Sequence, residues 1–275
     1  MYLRQKSWWS LVLALTPGLS GCGGSMSQQP DLRHEYGSRQ SYQNGNASVN
    51  GVAVLAEMFE AAGNTVVSTR RLSPRVQAAD VIVWFETAGT PPDQAAADWI
   101  DNWLYRSPGR TLIIIPPDFD AEAFYWKKVQ GQASPGDKAE VQKRLREAEY
   151  RFGMRRSMLP AGTSDWRWFD FDSNDRPRQV QSLSGDARWT AGVDPAKLEI
   201  ELHGRIIPKN NWDRVVLSSG SDDLVIAHSV GQSQVLVICN GSFLLNVPLV
   251  NKEHRKLAGA LINEAGCSGQ TVIFL

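Results

Sequence analysis

The sequence predicts an α/β protein with a mainly parallel sheet flanked by helices, carrying an inserted charged helix and a small β region. Three observations lead there. Val81 to Phe85, Thr111 to Ile115 and Val235 to Cys239 are short apolar runs without alternation, the pattern of strands covered on both faces. Segments of helical period lie around them. Pro, Gly and Asn punctuate their ends. With 275 residues, 42% hydrophobic and 21% charged, the chain suits one large domain or two small ones.

The expected domain covers residues 48–275. Val52, Leu55, Ala56 and Phe59 lie on one face of a first helix, with Ser48 or Asn50 as N-cap and Gly63 at its C-terminal turn. Thr65 to Thr69 is a strand, and the run from Val81 follows Asp80. Pro91-Pro92 opens a second helix with Ala96, Ile100, Trp103 and Leu104 as its buried stripe. The strand from Thr111 stops at Pro116-Pro117. Asp120 to Gln130 is helical and Gln132 to Gly136 is a break.

Residues 137–158 form a long charged helix whose apolar seam is Val141, Leu145, Ala148 and Phe152. Its cations Lys138, Lys143, Arg144, Arg146, Arg151, Arg155 and Arg156 are partly balanced by Asp137, Glu140, Glu147 and Glu149. A solvated face with i,i+4 ion pairs is the favoured reading over a partner-binding or phospholipid-facing surface. Trp166 to Asp172 alternates like a strand, and further short strands fall at 198–203, 213–217 and 223–229. Residues 137–230 are therefore expected as an insertion, helical first and then β-type. After Val235 to Cys239 come a tight turn at Asn240-Gly241-Ser242, a helix from Asn251 to Ala265 and a strand from Thr271 to Leu275.

The N-terminus has a different character. Arg4 and Lys6 precede an apolar stretch from Trp8 to Leu15, too short to span a bilayer. The stretch leads to Leu19-Ser20-Gly21-Cys22, which resembles the bacterial lipobox. The resemblance implies removal of residues 1–21 as a signal peptide and lipid on Cys22, giving a membrane-anchored lipoprotein of the bacterial cell envelope. Residues 22–47, rich in Gly, Ser and Gln, are expected to be a flexible tether, with Tyr36 and Tyr42 as aromatic interruptions.

Three stretches carry a second resemblance: Ser48 to Gly51 with the helix after it, Arg70 to Pro74 leading into Ala79 to Phe85, and Asn240 to Asn246 with Asn251 to Arg255. On these, the chain from about Tyr36 to Ile262 resembles the bacterial family called domain of unknown function 4350. The resemblance implies a flavodoxin-like sandwich, a variant of the class I glutamine-amidotransferase-like fold. It implies no assigned reaction. The chain also departs from amidotransferase chemistry, which needs a Cys on a strand-to-helix elbow with His and Glu behind it. Cys239 lacks the glycine-flanked elbow and reads as a small buried hydrophobe, and Cys267 is a loop thiol.

Other chemistries meet similar obstacles. Lys+Arg and Asp+Glu are both 29, so no positive field attracts nucleic acid. Three cysteines are too few for a disulfide framework. His34, His203, His228 and His254 lack paired metal-ligand spacing, and no Walker or dinucleotide loop is present, so neither metal nor cofactor is expected. A hydrolase or transferase would need Ser242 as nucleophile and His254 as base, with Asp222 or Asp223 behind, but Gly-x-Ser-x-Gly is missing. Glu86 and Asp118 follow strands, where open α/β sheets bind ligands, and could share a site. Asn240, Ser242, Asn246 and His254 complete the candidate ligand-binding set, while Asn251 is expected to cap the last helix. The favoured function is a non-enzymatic envelope module that binds a partner protein or a small polar ligand. The alternative is an enzyme with a degenerate site around Ser242 and His254.

Overall fold

The three apolar runs become the buried centre of one sheet. In the computed structural model, which describes residues 48–87, 89–173, 176–266 and 268–275, Val81–Phe85 (β2) and Thr111–Ile115 (β3) are buried along their whole length. The expected signal peptide, Cys22, the tether and Cys267 lie outside the described residues. The remaining main-sheet strands are Thr65–Ser68 (β1), Ser184–Gly185 (β7), Arg214–Ser219 (β10), Asp222–Val230 (β11), Ser233–Ile238 (β12) and Thr271–Phe274 (β13). They form an eight-stranded sheet in the order β1-β13-β2-β3-β12-β11-β10-β7.

The sheet is mixed, which corrects the expectation of a mainly parallel one. β1, β13, β2, β3 and β12 run parallel. β11, β10 and β7 then add on antiparallel. The cause is local. Gly231, at φ 61°, turns the chain straight back from β11 into β12, and Gly220, at φ 59°, does the same between β10 and β11. Hairpins can only produce antiparallel neighbours. Segments expected inside the insertion thus extend the main sheet. Only Thr163–Asp165 (β4), Phe169–Asp172 (β5) and Arg205–Pro208 (β9) form a separate three-stranded sheet, beside a two-stranded pair of Arg178–Gln179 (β6) and Glu201–Leu202 (β8).

The run from Trp166 to Asp172 is not one strand. Arg167 takes φ 74°, and its N–H donates to Asp165 Oδ1 at 2.7 Å. Trp166 N–H reaches back to the Phe169 carbonyl, and the two rings stack with centroids 5.7 Å apart. Arg167 thus sits at the hairpin turn between β4 and β5, and Trp166 and Trp168 on either side of it are both buried.

The helices are Ala53–Ala61 (α1), Gln94–Arg106 (α2), Glu122–Gln132 (α3), Lys138–Ser157 (α4), Ala187–Thr190 (α5) and Lys252–Ala265 (α6). α2 starts where Asp93 accepts the Ala96 N–H, and Ile100, Trp103 and Leu104 bury its stripe. α1 and α5 both pack on α6. α3 and α4 form an antiparallel-type hairpin across the break at 133–137, with Val141, Leu145 and Ala148 as the buried seam of α4. Neither Ser48 nor Asn50 caps α1 with its side chain. Asn246, distant in sequence, takes that role: its Oδ1 accepts the Val54 N–H at 2.9 Å. Among the described residues no helix is long and apolar enough to cross a membrane.

Candidate functional site

The ends of β3 and β12 are stitched together by short polar side chains. Pro116-Pro117 ends β3, since proline offers no N–H to continue the ladder. One residue past Ile238 in β12, Cys239 still pairs with Leu224; Asn240 then adopts φ 46°, ψ 77°. A non-glycine residue accepts this left-handed geometry when its side chain bonds locally. Asn240 Oδ1 does so, accepting the Ser242 N–H at 3.1 Å. Gly241 is required next, because a Cβ there would run into Ile115 of β3.

Asp118 lies beneath this elbow, 1% exposed, and accepts the Asn240 N–H at 3.0 Å. Burial pushes its pKa up to about 7, against the lowering effect of the Asn240 and Gly204 N–H groups and the nearby Arg156. The Cys239 thiol, buried beside Asp118, is pushed well above its ordinary value by burial first and the Asp118 charge second. Ser242 Oγ accepts the Asp120 N–H at 2.9 Å. Asp120 Oδ1 in turn accepts the Glu122 N–H at 2.6 Å, at the start of α3, and the carboxylate pairs with Arg155 of α4.

Above the stitched strand ends is a cavity of about 550 Å³. Its walls are α3, α4, the segment 198–203 and the loop after β12. Phe124, Phe152 and Phe243 supply apolar surface, and Lys127, Arg156 and His203 supply nitrogen groups. Gly153 keeps the α4 wall open: a Cβ there meets nothing within 4 Å. His203 packs edge-on to Phe152, with ring centroids 4.9 Å apart. Burial first, and Arg156 second, lower its pKa to about 4. The ring is therefore neutral at pH 7.

The candidates named from sequence scatter between this site and structural roles. Asn240 and Ser242 line the cavity, and Asp118 supports them from below. His254 is fully buried; its Nδ1 bonds the Pro248 carbonyl at 2.9 Å and its Nε2 accepts the Glu199 N–H at 3.2 Å. Burial lowers its pKa, opposed by the Pro248 bond. Both ring nitrogens are thus committed to backbone, and no hydrogen bond joins His254 to Ser242. Asn246 holds the N-terminal segment through Ser48 and Val54. Asn251 caps α6 through the Glu253 N–H at 2.9 Å. Glu86 is buried at the end of β2, where it accepts the Gly89 N–H at 2.9 Å. It does not line the cavity with Asp118's neighbours. Among the described residues no group of three or more His, Cys, Asp or Glu side chains is arranged to hold a metal ion.

Phe124, Gly153 and Glu201 escaped the sequence reading because they come from three separate elements with no common spacing, and Phe152, expected in the buried seam of α4, is only half-buried and lines the cavity instead. One signal was present. Gly153 sits inside a helix otherwise made of good helix formers, where glycine costs about 1 kcal/mol relative to alanine.

The fold and site define a class: a mixed α/β domain with a ligand-sized cavity at the carboxyl ends of two parallel strands. The chain belongs to the family described as a domain of unknown function (DUF4350), which matches residues 44–262. No curated protein and no solved structure matches it.

Proposed function

We propose that this chain is a lipid-anchored, non-enzymatic binding module of the bacterial cell envelope, whose α/β domain holds a small polar ligand. The observation that carries the reading is the 550 Å³ cavity at the carboxyl ends of β3 and β12. Cavities of this size, with apolar walls and a few polar groups, are where proteins take small molecules. Binding is favoured over turnover because Ser242 Oγ is engaged by the Asp120 N–H and both His254 nitrogens by backbone. A serine nucleophile needs a base within hydrogen-bond reach.

The strand order supports a flavodoxin-like, amidotransferase-like reading of the parallel half. Flavodoxin order is 2-1-3-4-5. The order β1-β13-β2-β3-β12 reproduces it when the path is entered at β13 and continued through α1. The strand order reverses between β13 and β2, next to Glu86, while the cavity opens beside β3 and β12 instead. The lipobox at Leu19 to Cys22 supports the envelope location, with the membrane held through lipid on Cys22.

The test is a thermal-shift screen of envelope metabolites on the full chain, with Gly153→Trp as the filled-cavity control. Ligands that raise the wild-type Tm and not that of Gly153→Trp support the reading. A ligand that stabilises both equally removes the cavity from the function. For the anchor, Cys22→Ala should move the protein from the membrane to the soluble fraction.

A further inference from the structure

Among the described residues, one cation of the cavity wall is bonded by no carboxylate. The cavity's acids are each engaged: Asp120 with Arg155, Glu149 with Lys127 at 4.0 Å, Glu199 with Lys128 at 2.7 Å, and Glu201 with His203 at 3.0 Å. Arg156 differs. Its guanidinium donates to three neutral acceptors: His203 Nδ1 at 3.4 Å, the Ser173 carbonyl at 3.1 Å and the His203 carbonyl at 3.1 Å. Among the described residues no carboxylate bonds it. These contacts orient the planar group and use three of its five N–H donors. They leave Nε–H and one Nη1–H for a ligand. His203, with Nδ1 accepting from Arg156 and Nε2 facing Glu201, is neutral and brings no second positive charge.

The geometry points to a small organic monocarboxylate as the ligand, its carboxylate on Arg156 and its aromatic or apolar body against Phe124, Phe152 and Phe243. This rests on the cavity being the ligand site. A single negative charge suits the lining, because four carboxylates stand around the cavity and a dianionic phosphate would be repelled by them. Gly153, one turn before Arg156 on α4, leaves the space beside the guanidinium open for the body of the ligand.

The experiment is a calorimetric and NMR titration of the full chain with benzoate, phenylacetate and 4-phenylbutyrate. Benzamide is the neutral comparison and phenyl phosphate the dianionic one. Wild-type protein should bind at least one carboxylate more tightly than both. Arg156→Gln should weaken that binding at least about tenfold, the effect of one lost charge-assisted pair. Arg156→Lys, which keeps the charge without the fork, should weaken it less; it also guards against a folding defect in Arg156→Gln. Benzamide or phenyl phosphate binding as tightly as the carboxylates, or Arg156→Gln binding them unchanged, overturns the proposal. If those ligands are still blocked by Gly153→Trp, the cavity remains the binding site and only the carboxylate assignment falls. Failure of all the probes to bind at millimolar concentration overturns the assignment, while ligands of other chemistry found by the thermal-shift screen keep the cavity reading. Carboxylate binding that survives Gly153→Trp removes both.

Discussion

Replacing Asn246 with alanine should release the N-terminal segment from the domain. Asn246 is 8% exposed and bonds in two directions. Its Oδ1 accepts the Val54 N–H at 2.9 Å, satisfying a donor in the first turn of α1. Its Nδ2 donates to the Ser48 carbonyl at 2.9 Å. Loss of a helix-capping acceptor costs about 1 kcal/mol, and loss of a second part-buried hydrogen bond costs about as much again. The expected total is about 2 kcal/mol, or a fall of roughly 4–8 °C in Tm for a domain of this size. Urea unfolding of the full chain measures the first quantity and calorimetry the second. Amide exchange adds location: the Val54 N–H should exchange about thirtyfold faster, the equivalent of 2 kcal/mol, while β2 and β3 amides follow the global change. Asn246→Asp keeps the acceptor at a helix N-terminus and loses only the donor, so it should cost about half as much. A loss under about 0.5 kcal/mol in Asn246→Ala, with exchange at Val54 unchanged, would refute the idea that this side chain fastens the segment.

Three further outcomes follow from the same geometry. Gly153→Ala should stabilise the protein by about 0.5–1 kcal/mol in chemical denaturation, because the Cβ enters open space and α4 gains helix propensity. Asp118 titrates near 7 when folded and near its ordinary 3.8 when unfolded, so the native state binds the extra proton between those values and stability should fall as pH rises from about 4 through 7. Asp118→Asn should flatten that slope, an effect on the order of a few kcal/mol across the window, read from urea midpoints at pH 5 and pH 8. Arg155→Ala strands the Asp120 carboxylate, whose side chain is 4% exposed, and should cost about 2 kcal/mol, whereas Arg151→Ala breaks the exposed pair with Glu122 and should cost about 0.5 kcal/mol or less. Equal costs for the two arginines would place Asp120 in a wetter setting than its contacts indicate.

Local chemistry was sufficient to read the elements from sequence wherever one pattern dominated. The unbroken apolar runs at Val81 and Thr111 are strands buried on both faces, and the stripe Ile100, Trp103, Leu104 is the inner face of a helix. Asn251 was legible as an N-cap because capping involves only its near neighbours. The Arg167 turn was hidden, since alternation from Trp166 to Asp172 looks the same in a straight strand and in a hairpin arm.

The long-range relations were beyond any local pattern. Sequence by itself determined an α/β domain of buried strands and amphipathic helices, the length of the charged helix, and the polar elbow at Asn240 to Ser242. Tertiary structure alone decided that β10 and β11 join the main sheet, that α1 is capped by a residue 192 positions away, and that His254 spends both nitrogens on backbone. It also decided that Arg156, Phe124 and His203, from three separate segments, line one cavity. The physical reason is the range of the interactions. Periodicity, capping and turn chemistry act within a few residues, so their signature stays in the local sequence. Strand pairing and cavity walls depend on which surfaces meet after the chain has closed long loops, and many sequences satisfy the same local rules with different partners.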